Sequence, residues 1–274
     1  MFGKRKIGIA LSGGGARGLA HIGVLQVLED LGVEIEGVSG CSMGAAVGAI
    51  YCAGVDLKEM ESYINSLDWR SFLLFSDFSL SRTGIINGRR VEDVLKKFLG
   101  NKTFADCAKD FCCVAVDILS GKKVLLNSGN LVEAVRASLS VPGFFAPVFK
   151  GEAMLVDGGI IEPLPTDVLK SLKVNFIIAS SIIFESEAEI YKGDVHKNSN
   201  SGKKITAGDV LDKSMNIIHA ELVKNYLHDV QILIEPKVGD FGFLDFIKGK
   251  DIIERGRKAA IAKIPEIKKK LRLR

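Results

Sequence analysis

Two glycine-rich turns lie within the first 44 residues of this chain, and each follows an apolar run typical of a buried strand. The second turn, residues 40–44, reads Gly-Cys-Ser-Met-Gly and places Ser42 on a sharp strand-to-helix turn with an exposed hydroxyl. The first turn, residues 13–18, reads Gly-Gly-Gly-Ala-Arg-Gly and presents backbone N–H groups at the start of a helix. Such N–H groups stabilise a developing oxyanion. A nucleophile beside an oxyanion cradle predicts acyl transfer.

A serine hydroxyl needs a general base before it can attack a carbonyl, and the outstanding candidate is Asp157. It begins the sequence Asp-Gly-Gly, residues 157–159, directly after a short apolar run. Because Asp-Gly is also a common hairpin turn, the pair has a structural interpretation beside the catalytic one. A carboxylate held within hydrogen-bond reach of the hydroxyl can act alone as the base. The sequence therefore predicts a dyad of Ser42 and Asp157.

A histidine base is the alternative, because His219 and His228 follow Asp157 in the serine–acid–histidine order of the α/β-hydrolases. That fold places several strands before its elbow, whereas only one strand–helix unit precedes Ser42 here. Both histidines lie in or at the end of a predicted amphipathic helix, where surface and core-edge roles are commoner. His21, close to the first turn, fits a capping or packing role. We therefore favour the dyad over a triad.

The first turn also satisfies the dinucleotide-binding pattern Gly-x-Gly-x-x-Gly, with Glu34 or Glu36 near the expected acidic position. In a nucleotide-binding unit the second strand ends at that acidic residue. Here the strand continues to the Ser42 elbow, which would occupy the ribose region. No Gly-Lys-Ser/Thr sequence follows the turn, and the four histidines are scattered along the chain. We expect no nucleotide, no metal ion and no other cofactor.

Strands and helices alternate along the whole chain without a Pro/Ser-rich linker, which predicts a single α/β domain over residues 1–274. The predicted strands cover residues 5–11, 35–38, 111–119, 122–126, 154–156, 174–180 and 230–235, and the predicted helices cover residues 19–31, 43–53, 89–99 and 130–140. A further helix has Leu211, Met215, Ile218 and Leu222 on one face. The polar stretch 185–208 is predicted to be a mobile loop.

Aromatic residues crowd into residues 66–82 without a clean period, which fits either a helix cap over the core or an apolar groove for an acyl chain. The five cysteines form no Cys-x-x-Cys pair and predict reduced thiols in a cytoplasmic protein. The N-terminal apolar run is too short for a signal peptide, and no run approaches the roughly 20 apolar residues of a membrane span.

The net charge of +4 is unevenly distributed. Residues 248–274 contain eleven Lys and Arg against three Asp and Glu, a net charge of +8, which leaves −4 on the remainder. This basic C-terminal helix, over about residues 250–274, is either a solvated helix end or a site of peripheral contact with an anionic membrane. No aromatic residues are interleaved with the terminal charges, which argues against nucleic-acid binding.

The three motifs together resemble the patatin-like phospholipase family, which combines a Gly-Gly-Gly-x-Arg/Lys-Gly loop, a Gly-x-Ser-x-Gly elbow and a downstream Asp-Gly-Ala/Gly turn. All three occur here in that order, within a core of about residues 5–165. The resemblance implies a three-layer α/β/α fold with a mainly parallel central sheet. It also implies an enzyme that hydrolyses acyl esters of lipids, and the compact size and lack of a signal segment suggest a cytosolic member of bacterial type.

Carried over by position, the resemblance makes Ser42 the nucleophile and Asp157 the base, with Arg17 orienting the glycine loop or meeting a phosphate. The implied oxyanion hole comprises Gly13, Gly14, Gly15, Ala16, Arg17 and Gly18, and the elbow and base turn are supported by Gly40, Gly44, Gly158 and Gly159. An acyltransferase that uses the same acyl-enzyme, or a non-catalytic lipid-binding or signalling module, stays open as an alternative. Phospholipid, lysophospholipid and glyceride fit the pattern equally, and it indicates no oligomeric state.

Overall fold

The computed structural model describes residues 5–67, 88–183 and 207–273. The strands are β1 (Ile7–Leu11), β2 (Ile35–Cys41), β3 (Asp110–Asp117), β4 (Lys122–Leu126), β5 (Val148–Lys150), β6 (Ala153–Asp157), β7 (Phe176–Ser180) and β8 (Ile232–Ile234). The helices are α1 (Ala20–Asp30), α2 (Met43–Cys52), α3 (Leu57–Asn65), α4 (Arg89–Leu99), α5 (Leu131–Ser138), α6 (Thr166–Ser171), α7 (Ala207–Val223), α8 (Gly249–Ala262) and α9 (Ile264–Leu271).

The strands form one mixed sheet in the order β5-β6-β3-β2-β1-β7-β8, with β4 also paired to β3. Neighbouring strands from β3 to β8 run parallel. Strands β4, β5 and β6 run antiparallel to their partners at one end of the sheet. The predicted strand pair around residues 120–121 is confirmed by the pairing of β3 with β4.

Helices cover both faces of this sheet, as alternating residues of β1 demonstrate. Ile9 and Leu11 belong to the main hydrophobic core, which also contains apolar residues of α1, α2 and α8. Ala10 points to the opposite face and belongs to a second core with Leu169 of α6 and Val223 of α7. Successive side chains of a strand point to opposite faces, so two buried cores require two helical layers. The predicted three-layer α/β/α fold is confirmed.

Two strands meet end to end beside β3, and this meeting positions the candidate site. Strand β2 runs parallel to β3 and ends with Cys41 opposite Val114. Strand β6 runs antiparallel to β3 and ends with Asp157 opposite Ala115, the next residue of β3. Strand β4 pairs with the other edge of β3 at both Val114 and Ala115, so β2 and β6 share one edge of β3. The residues at their carboxyl ends are therefore neighbours.

The basic C-terminal stretch differs from its prediction as one helix over about 250–274, because it forms two helices, α8 and α9. Pro265 lies in the first turn of α9, where a residue without a backbone N–H is tolerated but cannot continue a preceding helix. Within α9, Lys270 donates to Glu266 and to the carbonyl of Gln231. The aromatic stretch 66–82 and the predicted loop 185–208 lie almost entirely outside the described residues. Within the described ranges, no helix is long and apolar enough to cross a membrane.

Candidate active site

Ser42 lies between β2 and α2 in a strained backbone conformation, with φ of 52° and ψ of −122°. A non-glycine residue held in such a sparsely populated region stores about 1–3 kcal/mol, and such strain is common at active sites. The Ser42 N–H donates to Ser138 Oγ at 3.0 Å, and that hydroxyl donates to the carbonyl of Val114 at 2.7 Å. The turn is therefore held from both α5 and β3.

The two elbow glycines are required by backbone contacts. A Cβ at Gly40 would lie 2.5 Å from the carbonyl oxygen of Gly44. A Cβ at Gly44 would lie 2.3 Å from the carbonyl oxygen of Leu11, at the end of β1. Because backbone atoms cannot swing away as a side chain can, any larger residue would displace the elbow or the neighbouring glycine loop.

The glycine loop, residues 13–18, passes over Ser42 in a conformation that needs glycine at two positions. Gly14 has φ of 140° and Gly15 has φ of 60°, both on the side of the Ramachandran plot that side chains disfavour. The Gly13 N–H donates to Pro163 and the Ala16 N–H donates to Phe243. Over the described ranges, the N–H groups of Gly14 and Gly15 have no such acceptor. Of the six predicted oxyanion-hole residues, these two are therefore the first candidates for donors to an oxyanion.

Arg17 is buried and ties this loop to α7. Its Nε donates to the Gly14 carbonyl at 3.2 Å, and its guanidinium also donates to Asn216 Oδ1 at 2.7 Å. Asp212 lies 3.4 Å from the same guanidinium. Burial lowers the pKa of Arg17, and the charge of Asp212 opposes that shift. These contacts fit the orienting role of the two roles predicted for Arg17.

Asp157 is 3 % exposed and faces Ser42 from the end of β6. Its Oδ1 accepts hydrogen bonds from the Gly159 N–H at 2.7 Å and from the Cys41 thiol at 3.4 Å. Burial raises the pKa of Asp157 to about 6, and the Ser42 hydroxyl is the first of the groups that oppose this shift. Oδ2 accepts no hydrogen bond of ordinary geometry from the described residues. One carboxylate oxygen is therefore held in place, and the other is available to Ser42.

The base turn also needs its glycines. A Cβ at Gly158 would lie 2.5 Å from the Val114 side chain and 2.7 Å from its carbonyl oxygen. A Cβ at Gly159 would lie 2.8 Å from Nε2 of His219. The second contact is with a residue of α7, far away in the sequence.

Two cavities adjoin Ser42. The larger has a volume of about 190 Å³, and its walls are apolar side chains of α1 to α4 and of two neighbouring loops. The smaller has a volume of about 20 Å³ and is lined by Arg17, Asp157, Asp212, Asn216 and His219 together with apolar residues. Ser42 thus borders both an apolar space and a polar one.

The sequence prediction did not identify Asp212 and Asn216 of α7 as site residues, and it considered His219 only as the base of a triad. It placed Ile218 on one apolar face of this helix, and in the structure Ile218 is 45 % exposed. Asn216 and His219 instead face the smaller cavity. Burial lowers the pKa of His219 to about 4, with a smaller effect of Arg17, so this imidazole is neutral at pH 7. The sequence does contain a signal for this polar face. Polar residues stand at positions 212, 216 and 219, about one helical turn apart, and therefore on the same side of the helix.

Among the described residues, His21 and His228 take no part in these contacts. His21 is fully buried and forms hydrogen bonds with Ser180 Oγ and the Ser12 carbonyl, as its predicted packing role requires. His228 is exposed and contacts Asp229.

A family model described as "Patatin-like phospholipase" matches residues 9–170, which is more than half of the chain and includes Ser42 and Asp157. The chain belongs to the patatin-like phospholipase family. The resemblance predicted from its three motifs is confirmed.

Several curated proteins resemble this patatin-like phospholipase chain. An uncharacterised NTE family protein of Mycobacterium tuberculosis is 38% identical over 177 residues, which is 65% of this chain and 49% of that protein. A second such protein of the same organism is 29% identical over 287 residues, 94% of this chain and 46% of its own length. A patatin-like phospholipase domain-containing protein of Caenorhabditis elegans is 27% identical, covering 92% of this chain and 20% of the relative. The chain thus spans about half or less of these relatives.

Solved structures with a similar fold are more distant from this patatin-like chain. VipD from Legionella pneumophila has a TM-score of 0.47 and 15% identity, covering 94% of this chain and 67% of VipD. The type III effector protein ExoU has a TM-score of 0.48 and 15% identity, covering 96% of this chain and 53% of ExoU.

Proposed function

We propose that this chain is a serine acyl hydrolase that cleaves carboxylic ester bonds of lipids through Ser42, Asp157 and an acyl-enzyme intermediate. One observation carries the proposal: Ser42 lies on a strained turn beside a large apolar cavity and a buried carboxylate whose second oxygen is available. The apolar cavity suits an acyl chain, and a lipid ester is the substrate class that combines such a chain with a carbonyl. Membership of a patatin-like phospholipase family supports the same class.

In the first step, Asp157 Oδ2 takes the Ser42 proton while Ser42 Oγ attacks the ester carbonyl carbon. The carbonyl oxygen becomes an oxyanion, and the N–H groups of Gly14 and Gly15 are its proposed donors. Loss of one such donor typically costs about 3 kcal/mol, or about 100-fold in rate. Collapse of the tetrahedral intermediate breaks the bond to the alcohol, which leaves with the proton from Asp157.

In the second step, water attacks the acyl carbon of the Ser42 ester and gives a proton to Asp157. The bond to Ser42 Oγ then breaks, the serine regains its proton, and the fatty acid leaves. Because the pKa of Asp157 is raised to about 6, this base is ionised at neutral pH and yet more basic than a solvated aspartate. No metal ion and no cofactor is needed for either step.

The peripheral contact of the basic C-terminus with an anionic membrane stays a prediction, as does the cytoplasmic location. So does the treatment of residues 1–274 as one domain.

The test is intact-protein mass after exposure to a fluorophosphonate, which phosphonylates an activated serine. The natural chain should gain one adduct, Ser42→Ala should gain none, and Asp157→Asn should react at least tenfold more slowly because its side chain cannot accept the proton. Asp167→Asn is the matched control, since Asp167 lies at the surface and pairs with Lys170. A Ser42→Ala variant that hydrolyses a nitrophenyl ester at more than a few per cent of the natural rate would contradict the proposal.

A further inference from the structure

Two residues that line the smaller cavity beside Ser42 each have a buried side-chain atom without a hydrogen bond of ordinary geometry to any described residue. These atoms are Oδ2 of Asp157 and Nε2 of His219, and both are buried from solvent. A buried polar atom without a partner costs about 1–3 kcal/mol, so such atoms are normally satisfied by a ligand or by ordered water. Because the Ser42 hydroxyl interacts with the Asp157 carboxylate, His219 Nε2 is the atom of this cavity that still needs a partner in the free enzyme.

The size of the cavity limits that partner to a single small molecule or functional group. Its volume of about 20 Å³ exceeds the roughly 10–15 Å³ that one water requires, and a bulky group would not fit. A Cβ at Gly159 would lie 2.8 Å from His219 Nε2 and 3.0 Å from Asp157 Oδ1, so these two side chains approach within about 6 Å of each other. One water can bridge neighbouring groups of this kind with two ordinary hydrogen bonds.

The charges around the cavity favour a neutral occupant. Its charged residues in the described ranges are Arg17, Asp157 and Asp212, and Arg17 is already engaged with Asp212. An anion would meet two carboxylates and one cation that is already paired, and it would also lose its hydration on entering a buried site. Water meets neither penalty.

We propose that the smaller cavity holds the water that hydrolyses the acyl-enzyme, and that His219 positions this water. The proposal rests on the proposed function and extends it by assigning the second step to a place and a residue. Once Ser42 is acylated it has no proton to share, so Asp157 Oδ2 is free to accept one from water. The second hydrogen of that water is then accepted by Nε2 of the neutral His219, in the tautomer with its proton on Nδ1.

Deacylation transfers the acyl group from Ser42 to this water. The water oxygen forms a bond to the acyl carbon, and one water proton moves to Asp157. The acyl carbon–Ser42 Oγ bond then breaks, and Oγ takes that proton, which leaves a carboxylic acid and the free enzyme. His219 keeps its own proton throughout and orients a water lone pair toward the acyl carbon. This role differs from that of a general base in a triad, because His219 takes no proton from Ser42.

Rapid-quench kinetics with a medium-chain nitrophenyl ester tests the assignment by separating acylation from deacylation. In His219→Ala, the first turnover should release nitrophenol at a rate within about twofold of natural, since acylation needs only Ser42, Asp157 and the glycine loop. The steady-state rate should fall about tenfold, the typical effect of losing one hydrogen bond to a reacting group. Intact-protein mass should show the acyl group accumulating on the protein.

Three further variants make the result specific to the hydrogen bond. His219→Gln, whose amide oxygen can accept from water, should recover most of the steady-state rate, whereas His219→Leu should not. His228→Ala is the matched control, because His228 is exposed and contacts Asp229 rather than the cavity, and it should behave as the natural chain. If His219→Ala unfolds at a lower temperature than the natural chain, the comparison of Gln with Leu decides the question in its place.

The acceptor itself gives an independent measurement. With methanol added, the natural chain should yield mainly free acid, because its cavity fits water. His219→Ala enlarges the cavity and should raise the ratio of methyl ester to acid severalfold. A variant in which acylation slows as much as deacylation, or in which this ratio is unchanged, would overturn the water site. A natural chain that never forms an acyl adduct would instead contradict the proposed function, and the water site would fall with it.

Discussion

The two cavities that adjoin Ser42 differ in size, polarity and origin. The larger, of about 190 Å³, is built mainly from apolar side chains of helices in the first half of the chain. The smaller, of about 20 Å³, is completed by α7, in the last third. Hydrophobic contact is additive and tolerant of shape, whereas proton transfer needs a few atoms in fixed positions. We infer that the apolar side sets how much chain is bound and the polar side sets whether it is cleaved.

The largest expected effect belongs to the polar side. Asp157→Asn removes the base and should lower kcat/KM about 1,000-fold, within the range usual for general-base catalysis. The loss should be the same for acetyl and long-chain nitrophenyl esters, because Asp157 does not line the apolar cavity. Measuring kcat/KM over a series of acyl lengths checks this. A loss that grew with chain length would contradict the division between the two cavities.

The same residue sets the pH dependence. Asp157 acts as the carboxylate, and its pKa is about 6, so kcat/KM should rise with pH through about 6 and level off above it. This carboxyl is protonated more readily in the folded state than in the unfolded state, whose pKa is about 3.9. Its contribution to stability is therefore lost as pH rises from about 4 to about 6. Asp157→Asn should consequently unfold at a higher temperature than the natural chain at pH 7.

An intermediate effect is expected on the apolar side. Ala46 lies on α2 and lines the larger cavity. In Ala46→Leu, the added carbons should exclude about three methylenes of the acyl chain, at about 0.8 kcal/mol each, or about 50-fold in kcat/KM for a long-chain ester. The acetyl ester, which extends only one methyl group beyond its carbonyl carbon, should be cleaved within about twofold of the natural rate. Steady-state kinetics with the two esters measures the difference.

Fluorophosphonate labelling provides the control for Ala46→Leu, since it reports on Ser42 and Asp157 without needing a long chain. Its rate should be unchanged. A variant that lost both esters equally would indicate that the larger cavity affects the reacting atoms directly.

Local sequence signals were sufficient for the parts of the site that depend on backbone geometry. The turns around Ser42, Gly14 and Asp157 need residues without side chains at set positions, and short apolar runs mark the strands that precede them. The confirmed sheet follows from the same alternation of strands and helices. Such features are encoded within a few residues of where they act.

The rest of the site depends on contacts between distant segments, which a single sequence does not display. The end-to-end meeting of β2 and β6 depends on the register of both strands on β3. The position of His219 depends on how α7 lies across the sheet, which the apolar pattern of this helix, with Ile218 on one face, does not reveal. Polar residues that line a cavity break the apolar pattern of a helix. From the sequence alone, such residues are therefore assigned to the solvent-facing side of the helix.

The smallest expected effect also belongs to the polar side, where one substitution changes how the Asp157 carboxylate is held without removing it. The Cys41 thiol donates to Asp157 Oδ1 at 3.4 Å, and burial raises the pKa of Cys41, so this thiol keeps its proton. In Cys41→Ala the carboxylate loses one weak donor, which should raise the pKa of Asp157 and move the rise in kcat/KM to higher pH. At neutral pH the rate should fall by less than about twofold, since a thiol is a poor donor. Cys112→Ala is the matched control, because Cys112 is equally buried but its thiol faces the Cys113 carbonyl. A pH profile displaced in both variants would mean that packing, rather than the hydrogen bond, tunes the base.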